Sequence, residues 1–159
     1  MMMNLEERIV FELQKRNQTL TTAESCTGGL LAGRILNVSG ASAVYNEGHI
    51  TYSNEAKERL LGVSHETLET YGAVSRETAG EMAKGAALSA NSDVALSTTG
   101  IAGPTGGTPE KPVGLVYVGC CYNGQVTVEE CHFTGDREQN RNAAVEAVLQ
   151  LLWKTLSNS

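Results

Sequence analysis

Thr21-Thr22-Ala23-Glu24-Ser25-Cys26-Thr27-Gly28-Gly29 is the stretch on which the reading of this chain turns. Before it, Gln18-Thr19-Leu20 opens a short run of strand character; after it, Leu30-Leu31-Ala32-Gly33-Arg34-Ile35-Leu36 repeats apolar residues at helical spacing. A serine and a cysteine therefore sit where a strand turns into a helix, predicted here from Cys26 to about Asn37. Backbone N–H groups at a helix start lack intrahelical partners and attract negative charge. Glycines let a ligand approach the backbone closely. The combination suits a nucleophile attacking a carbonyl, with the oxyanion held by the N–H groups around Cys26, Thr27 and Gly28. Capping and close packing explain the same residues equally well. Cys26 competes with Ser25 as nucleophile, because a helix start lowers a thiol pKa, although the sequence offers it no obvious histidine partner. Glu24 either activates water or caps backbone donors.

Working outward, Leu5 to Lys15 is predicted helical, and a strand runs to about Ala23. Val38 to Ser42 is a loop, and Val44 to Tyr52 a second strand, with Gly48 marking a bulge. Ser53 or Asn54 caps a helix from Glu55 to Leu61 that stops at Gly62, and Ser64 starts a short one through Tyr71. Ser75 caps a longer helix, Arg76 to Ala90, whose small face (Ala83, Ala86, Ala87, beside Met82) permits close packing on a sheet. Asp93 to Thr99 reads as a buried strand. Val113 to Tyr122 and Gln125 to Phe133 form a hairpin on Asn123-Gly124, since a type I′ turn needs positive φ at both central positions. Asp136 caps the last helix, to about Leu156, with Gln139 as capping-box partner. Early alternation and a late hairpin predict a single α/β domain over residues 1–159, a three-layer α/β/α sandwich with a mixed sheet and a C-terminal antiparallel hairpin.

A chain of 159 residues fits one domain. Its net charge of −6 and lack of a basic stripe argue against a nucleic-acid surface. No apolar run approaches the roughly 20 residues that span a bilayer, and the N-terminus has no signal-peptide pattern, so a cytoplasmic protein is expected. Cys26, Cys120, Cys121 and Cys131 contain no Cys-x-x-Cys pair, and His49, His65 and His132 have no metal-ligand spacing. Free buried thiols and no metal are expected.

Two further stretches carry chemistry. Thr51-Tyr52-Ser53-Asn54-Glu55-Ala56-Lys57 puts Lys57 in the first turn of a helix, bordering Leu60 and Leu61. Such a lysine either snorkels to solvent or is partly buried as a general base. Ser97-Thr98-Thr99-Gly100-Ile101-Ala102-Gly103-Pro104-Thr105-Gly106-Gly107 leaves a strand with many backbone N–H groups and little bulk, suited to a phosphate or carboxylate. It matches neither a Walker loop nor a dinucleotide fingerprint. Lys111 and Arg137 are candidate anion contacts, or plain solvated cations.

Taken together and in order, TTAESCTGG, TYSNEAK, GAVS, TGIAGPTGG, KPVG and TGDR resemble the CinA C-terminal domain family, over roughly Leu5 to Leu156. The resemblance is to nicotinamide-mononucleotide deamidases, the PncC-like amidohydrolases, in their stand-alone form without the nucleotide-hydrolase domain that often precedes this one. It implies hydrolysis of the carboxamide of nicotinamide mononucleotide to nicotinate mononucleotide and ammonia, in pyridine nucleotide recycling and without cofactor. Ser25 would attack, Lys57 would take its proton, and Tyr52 would orient Lys57 or donate to the intermediate. Glu24, Gly29, Thr99 and the loop residues Gly100, Ile101, Ala102, Gly103, Gly106 and Gly107 would line the substrate site with Arg137, the loop holding the ribose phosphate. A binding module that senses the nucleotide without turnover is the rival reading. An assembly domain of a larger partner is a third, and the free edge of the hairpin makes a homodimer an expectation.

Overall fold

The computed structural model describes residues 2–159. Helix α1 (Leu5–Arg16) opens with a capping box between Asn4 and Glu7 and ends on Asn17 in the left-handed region. Strand β1 (Leu20–Glu24) follows and is buried throughout. Then come α2 (Leu30–Leu36), β2 (His49–Ile50), α3 (Asn54–Leu61), α4 (His65–Tyr71) and α5 (Arg76–Ala90). Strand β3 (Val94–Gly100), the hairpin β4 (Leu115–Tyr122) and β5 (Gln125–His132), and α6 (Arg137–Ser157) complete the chain.

The sheet has the order β2-β1-β3-β4-β5. Strands β2 and β3 run parallel to β1, whereas β4 and β5 are antiparallel to their neighbours. On one face α1, α2 and α6 bury Ile9, Leu13, Leu31, Ile35, Val148 and Leu152 against Leu20, Leu96 and Val118. On the other, Leu61, Leu68 and the Met82–Ala83–Ala86 face of α5 cover Ala23, Ala95 and Cys121. The small face lets α5 lie close to the sheet: a Cβ on Gly119 would come within 3.0 Å of the Ala79 carbonyl. The three-layer architecture and the hairpin stand as predicted, with Asn123 at φ 49° and Gly124 at φ 85°.

Two elements differ from the sequence reading. Helix α2 begins at Leu30, not Cys26, because Gly28 and Gly29 take φ of 54° and 105° and turn the chain before it winds. Strand β2 has only two residues. From the bridge Leu20↔Tyr45 to the pair Ala23↔His49 the ladder advances three residues on β1 and four on its partner, so the extra residue is extruded as a bulge. Tyr45 fills the space beside it, its hydroxyl 2.7 Å from Thr22 Oγ1 and 1.9 Å from where a Gly48 Cβ would stand. At the far end of the sheet the outer edge of β5 pairs with no strand among the described residues. Arg76 partly closes that edge by donating to the Val128 carbonyl at 2.8 Å. No described helix is long and apolar enough to cross a membrane.

Candidate active site

The parallel strands β1, β2 and β3 end on the same side of the sheet. The chain leaves β1 toward the α2 face and leaves β2 toward the α3–α5 face. In α/β sheets the crevice between two such exits is where ligands bind. Ser25 is the first residue beyond β1, and Thr51 to Lys57 follow β2, so the crevice brings together the two stretches singled out by sequence.

Lys57 is 1% exposed, so the snorkelling alternative is closed. Its Nζ lies 2.9 Å from Ser25 Oγ, 2.7 Å from the Thr51 carbonyl and 3.5 Å from the Tyr52 carbonyl. Burial pushes its pKa down from 10.5 to about 8. As a neutral amine it can point its two hydrogens at the two carbonyls, which leaves the lone pair for the Ser25 hydroxyl. The pair is held from both sides. Ser25 N donates to the Thr98 carbonyl at 3.0 Å, and Thr51 N donates to the Glu24 carbonyl at 2.7 Å. Ser53 caps α3 by accepting from Ala56 N at 3.0 Å and so fixes the turn that carries Lys57.

Cys26 lies beside this pair but is a poor rival. Burial pushes its thiol up to about 11, with Lys57 and Arg141 pulling weakly the other way. No helix start lies at Cys26 to lower its thiol, because α2 begins four residues later. Within the described residues the N–H groups of Cys26 and Thr27 donate to no protein acceptor, whereas Gly28 N donates to the Ser25 carbonyl at 3.2 Å. Of the three N–H groups expected at an oxyanion, those of Cys26 and Thr27 are thus the two without an oxygen acceptor among the described residues.

Glu24 resolves to a cap. It is fully buried, and its carboxylate accepts from Gly29 N at 3.1 Å, Leu31 N and Ala32 N at 3.0 Å, and the Thr27 hydroxyl. It thus satisfies orphan donors of α2 and folds the Ser25–Gly29 turn around itself. Glu24→Gln sets an amide NH₂ against a backbone N–H and is expected to cost about 2 kcal/mol. Urea denaturation checks this, with unchanged stability as the contrary result.

Tyr52 is 66% exposed. Its phenol does not reach Lys57 but accepts from Arg137 Nη2 at 3.2 Å, so only its main chain meets the lysine. Arg137 Nη1 also donates to the Gly103 carbonyl at 2.8 Å and so joins Tyr52 to the glycine-rich loop. In that loop Ile101 N and Ile101 O are bonded to Leu115 and Gly114. The glycines serve packing: a Cβ on Gly100, Gly103 or Gly107 would meet Val116 or Val113 at under 3 Å. Gly106 remains exposed with Thr105 at the tip. Thr99 turns to the α3–α5 face of the sheet and donates to the Ala73 carbonyl at 2.8 Å. Lys111 is drawn away to the Tyr71 carbonyl at the end of α4, a favourable place for a cation.

Three contributors escaped the sequence reading. Asn140 is buried and holds the Ala102 carbonyl at 3.0 Å and the Gly135 backbone. Arg141 donates to the Cys26 carbonyl at 2.9 Å and the Thr27 carbonyl at 3.1 Å. Its place one helical turn after Arg137 was the available signal. The Thr98 hydroxyl, 2.7 Å from that of Thr27, lies in the glycine-rich stretch quoted above but was given no role of its own there.

Fold and site together define a three-layer α/β/α protein with a buried serine–lysine pair at the carboxyl end of its parallel strands. Comparison with known proteins extends this. The chain belongs to the CinA C-terminal domain family, which it matches over residues 2–156. It is 56% identical over 153 residues to a CinA-like protein of Kosmotoga olearia, covering 96% of this chain but 37% of that protein. It thus spans well under half the length of that relative. Among solved structures it resembles the competence/damage inducible protein CihA of Agrobacterium tumefaciens, with TM-score 0.92 and 44% identity over 96% of this chain and 93% of that one. A CinA superfamily protein of Klebsiella pneumoniae is also similar, with TM-score 0.94 and 37% identity over 98% of this chain and 97% of the other.

Proposed function

We infer that the protein hydrolyses the carboxamide of nicotinamide mononucleotide, giving nicotinate mononucleotide and ammonia. The observation that carries this reading is the 2.9 Å approach of a buried Lys57 amine to Ser25 Oγ. Neutral Lys57 takes the hydroxyl proton as Ser25 Oγ adds to the amide carbon. The Cys26 and Thr27 N–H groups receive the oxyanion. Lys57 then returns the proton to the leaving nitrogen, ammonia departs, and an acyl-serine remains. Water, deprotonated by Lys57, cleaves that ester and restores the pair. Arg137 and the neighbouring loop face the part of the substrate beyond the ring, and the exposed edge of β5 serves a homodimer, which solution mass tests.

The direct test is ammonia release from nicotinamide mononucleotide by the purified protein. Turnover that yields nicotinate mononucleotide in equal amount is the expected result. Tight binding in calorimetry with no ammonia would replace the amidase by a nucleotide sensor.

A further inference from the structure

We propose that Tyr45, seated in the bulge before β2, is a positioning residue that sets the approach of Lys57 to Ser25; its kinetic test rests on the amidase reading above. Lys57 meets the nucleophile by way of β2. The Thr51 carbonyl just after β2 accepts from Lys57 Nζ at 2.7 Å, and Ser53 caps the helix that carries the lysine. Yet β2 is two residues long and lies at the edge of the sheet, and its ladder with β1 is Ala23↔His49 and Glu24↔Ile50. So short a ladder holds register weakly. A slip by one residue moves a strand about 3.3 Å and turns each side chain to the other face. The 2.9 Å contact of Lys57 with Ser25 would not survive it. Register must therefore be held by contacts outside the ladder.

Side chains at the bulge supply that hold. The Tyr45 ring packs on the core formed by α1, α2, α6 and the sheet. Its hydroxyl is the hydrogen-bond partner of the Thr22 hydroxyl at 2.7 Å, and Thr22 is fully buried in the strand that ends one residue before Ser25. Thr21 Oγ1 adds a second pin by donating to the Glu47 carbonyl at 2.8 Å. Gly48 is what admits the ring. A Cβ there would stand 1.9 Å from the phenol oxygen, 2.4 Å from Thr22 Oγ1 and 3.1 Å from Tyr45 Cζ. Gly48 is not among the positive-φ glycines, so this position demands space and not an unusual backbone. Tyr45 thus acts through the strand and not on the substrate: its ring is spent on the core and its hydroxyl on Thr22. Without the ring the bulge can settle elsewhere along β1, and the Thr51 carbonyl that anchors the lysine moves with β2.

The experiment compares Tyr45→Ala, Tyr45→Phe, Gly48→Ala and the double variant Tyr45→Ala/Gly48→Ala in two assays. Turnover of nicotinamide mononucleotide gives kcat and KM. NMR titration of the Lys57 side-chain amine, assigned by its absence in Lys57→Met, reads the base directly and needs no turnover. Tyr45→Ala is expected to lower kcat by about 30-fold with KM within about 2-fold of wild type, since misplacing a reacting group by about 1 Å costs up to about 100-fold. The Lys57 titration midpoint, about 8 in wild type, is expected to rise toward 10.5 as the loosened turn lets water in. Gly48→Ala evicts the ring without removing it; it is expected to do the same, and it serves where Tyr45→Ala does not fold. Tyr45→Phe keeps the ring and is expected to stay within about 5-fold of wild type in kcat. The double variant is expected to be no slower than Tyr45→Ala, because both changes act through one displacement. A lowered melting temperature with kcat and the Lys57 midpoint both as in wild type would make Tyr45 a structural residue only and overturns the proposal. So does a loss carried by KM alone. A Lys57 midpoint that moves as expected, in a protein whose wild type hydrolyses no amide, keeps the positioning role and removes the amidase.

Discussion

Ser25→Ala is expected to lower kcat for amide hydrolysis by about 10⁴-fold or more, and Lys57→Met by about 10³-fold or more, with the fold intact in both. The two losses have separate causes. Without Oγ no acyl-enzyme forms, and residual turnover comes from oriented water alone. Without Lys57 the hydroxyl loses the amine hydrogen-bonded to it and keeps its proton. Cys26→Ala is expected to stay within about 10-fold of wild type, because a buried thiol with a pKa near 11 supplies almost no thiolate at neutral pH. Lys57→Arg should not rescue, as a guanidinium stays charged and cannot accept the proton. The pH profile gives a second, independent reading. Lys57 must be unprotonated in the free enzyme, so kcat/KM is expected to rise with pH and level off above about 8. Activity that survives in Ser25→Ala and disappears in Cys26→Ala would transfer the nucleophile to the thiol. A profile flat from pH 6 to pH 9 would remove Lys57 as the base.

The strand–turn–helix around Ser25, the small face of α5 and the Asn123-Gly124 hairpin were legible because each depends on local spacing. The meeting of Ser25 with Lys57 was not. It depends on β1 and β2 lying side by side and on their exits leaving toward opposite faces. The family resemblance supplied that juxtaposition where spacing could not. The helix start was placed four residues early because Ser25-Cys26-Thr27 carries capping residue types. The actual cap is a side chain from the strand: Glu24 reaches forward to Gly29, Leu31 and Ala32 and forces the intervening residues into a turn. That also explains why Glu24 looked like a substrate contact. A carboxylate beside a nucleophile is read as chemistry until its acceptors are seen to be filled by backbone. In the glycine-rich loop, glycines needed for packing on Val113 and Val116 cannot be told by sequence from glycines needed for a ligand. The carbonyls of Thr51 and Tyr52, which direct the lysine, have no sequence signature at all.

Lys57→Met is also expected to raise stability at neutral pH, even as it removes activity. The native lysine is depressed from 10.5 to about 8 by burial, with no acid paired to it. A lowered lysine pKa means that the folded state binds its proton less readily than the unfolded chain does. Below about pH 8 both states are protonated and the native one bears the full cost of a buried charge. At about 1.4 kcal/mol per pH unit between 10.5 and about 8, that cost is at most about 3.5 kcal/mol. From about pH 8 to 10.5 the folded protein releases the proton first, stability rises with pH, and the penalty is gone above that window. Methionine has no charge to bury and fills a similar volume, but it leaves the Ser25 hydroxyl and the Thr51 carbonyl short of a partner, a loss of about 1–2 kcal/mol. The balance at pH 7 is a gain of about 1.5–2.5 kcal/mol, or a melting temperature higher by about 4–8 °C. Near pH 10.5 only the lost hydrogen bonds remain, and the variant should be the less stable of the two. Urea melts of both proteins at pH 7 and pH 10.5 test this change of sign. A variant less stable than wild type by the same amount at both values would mean that Lys57 is charged in the native protein without penalty, and the case for its acting as a base at neutral pH would fall with it.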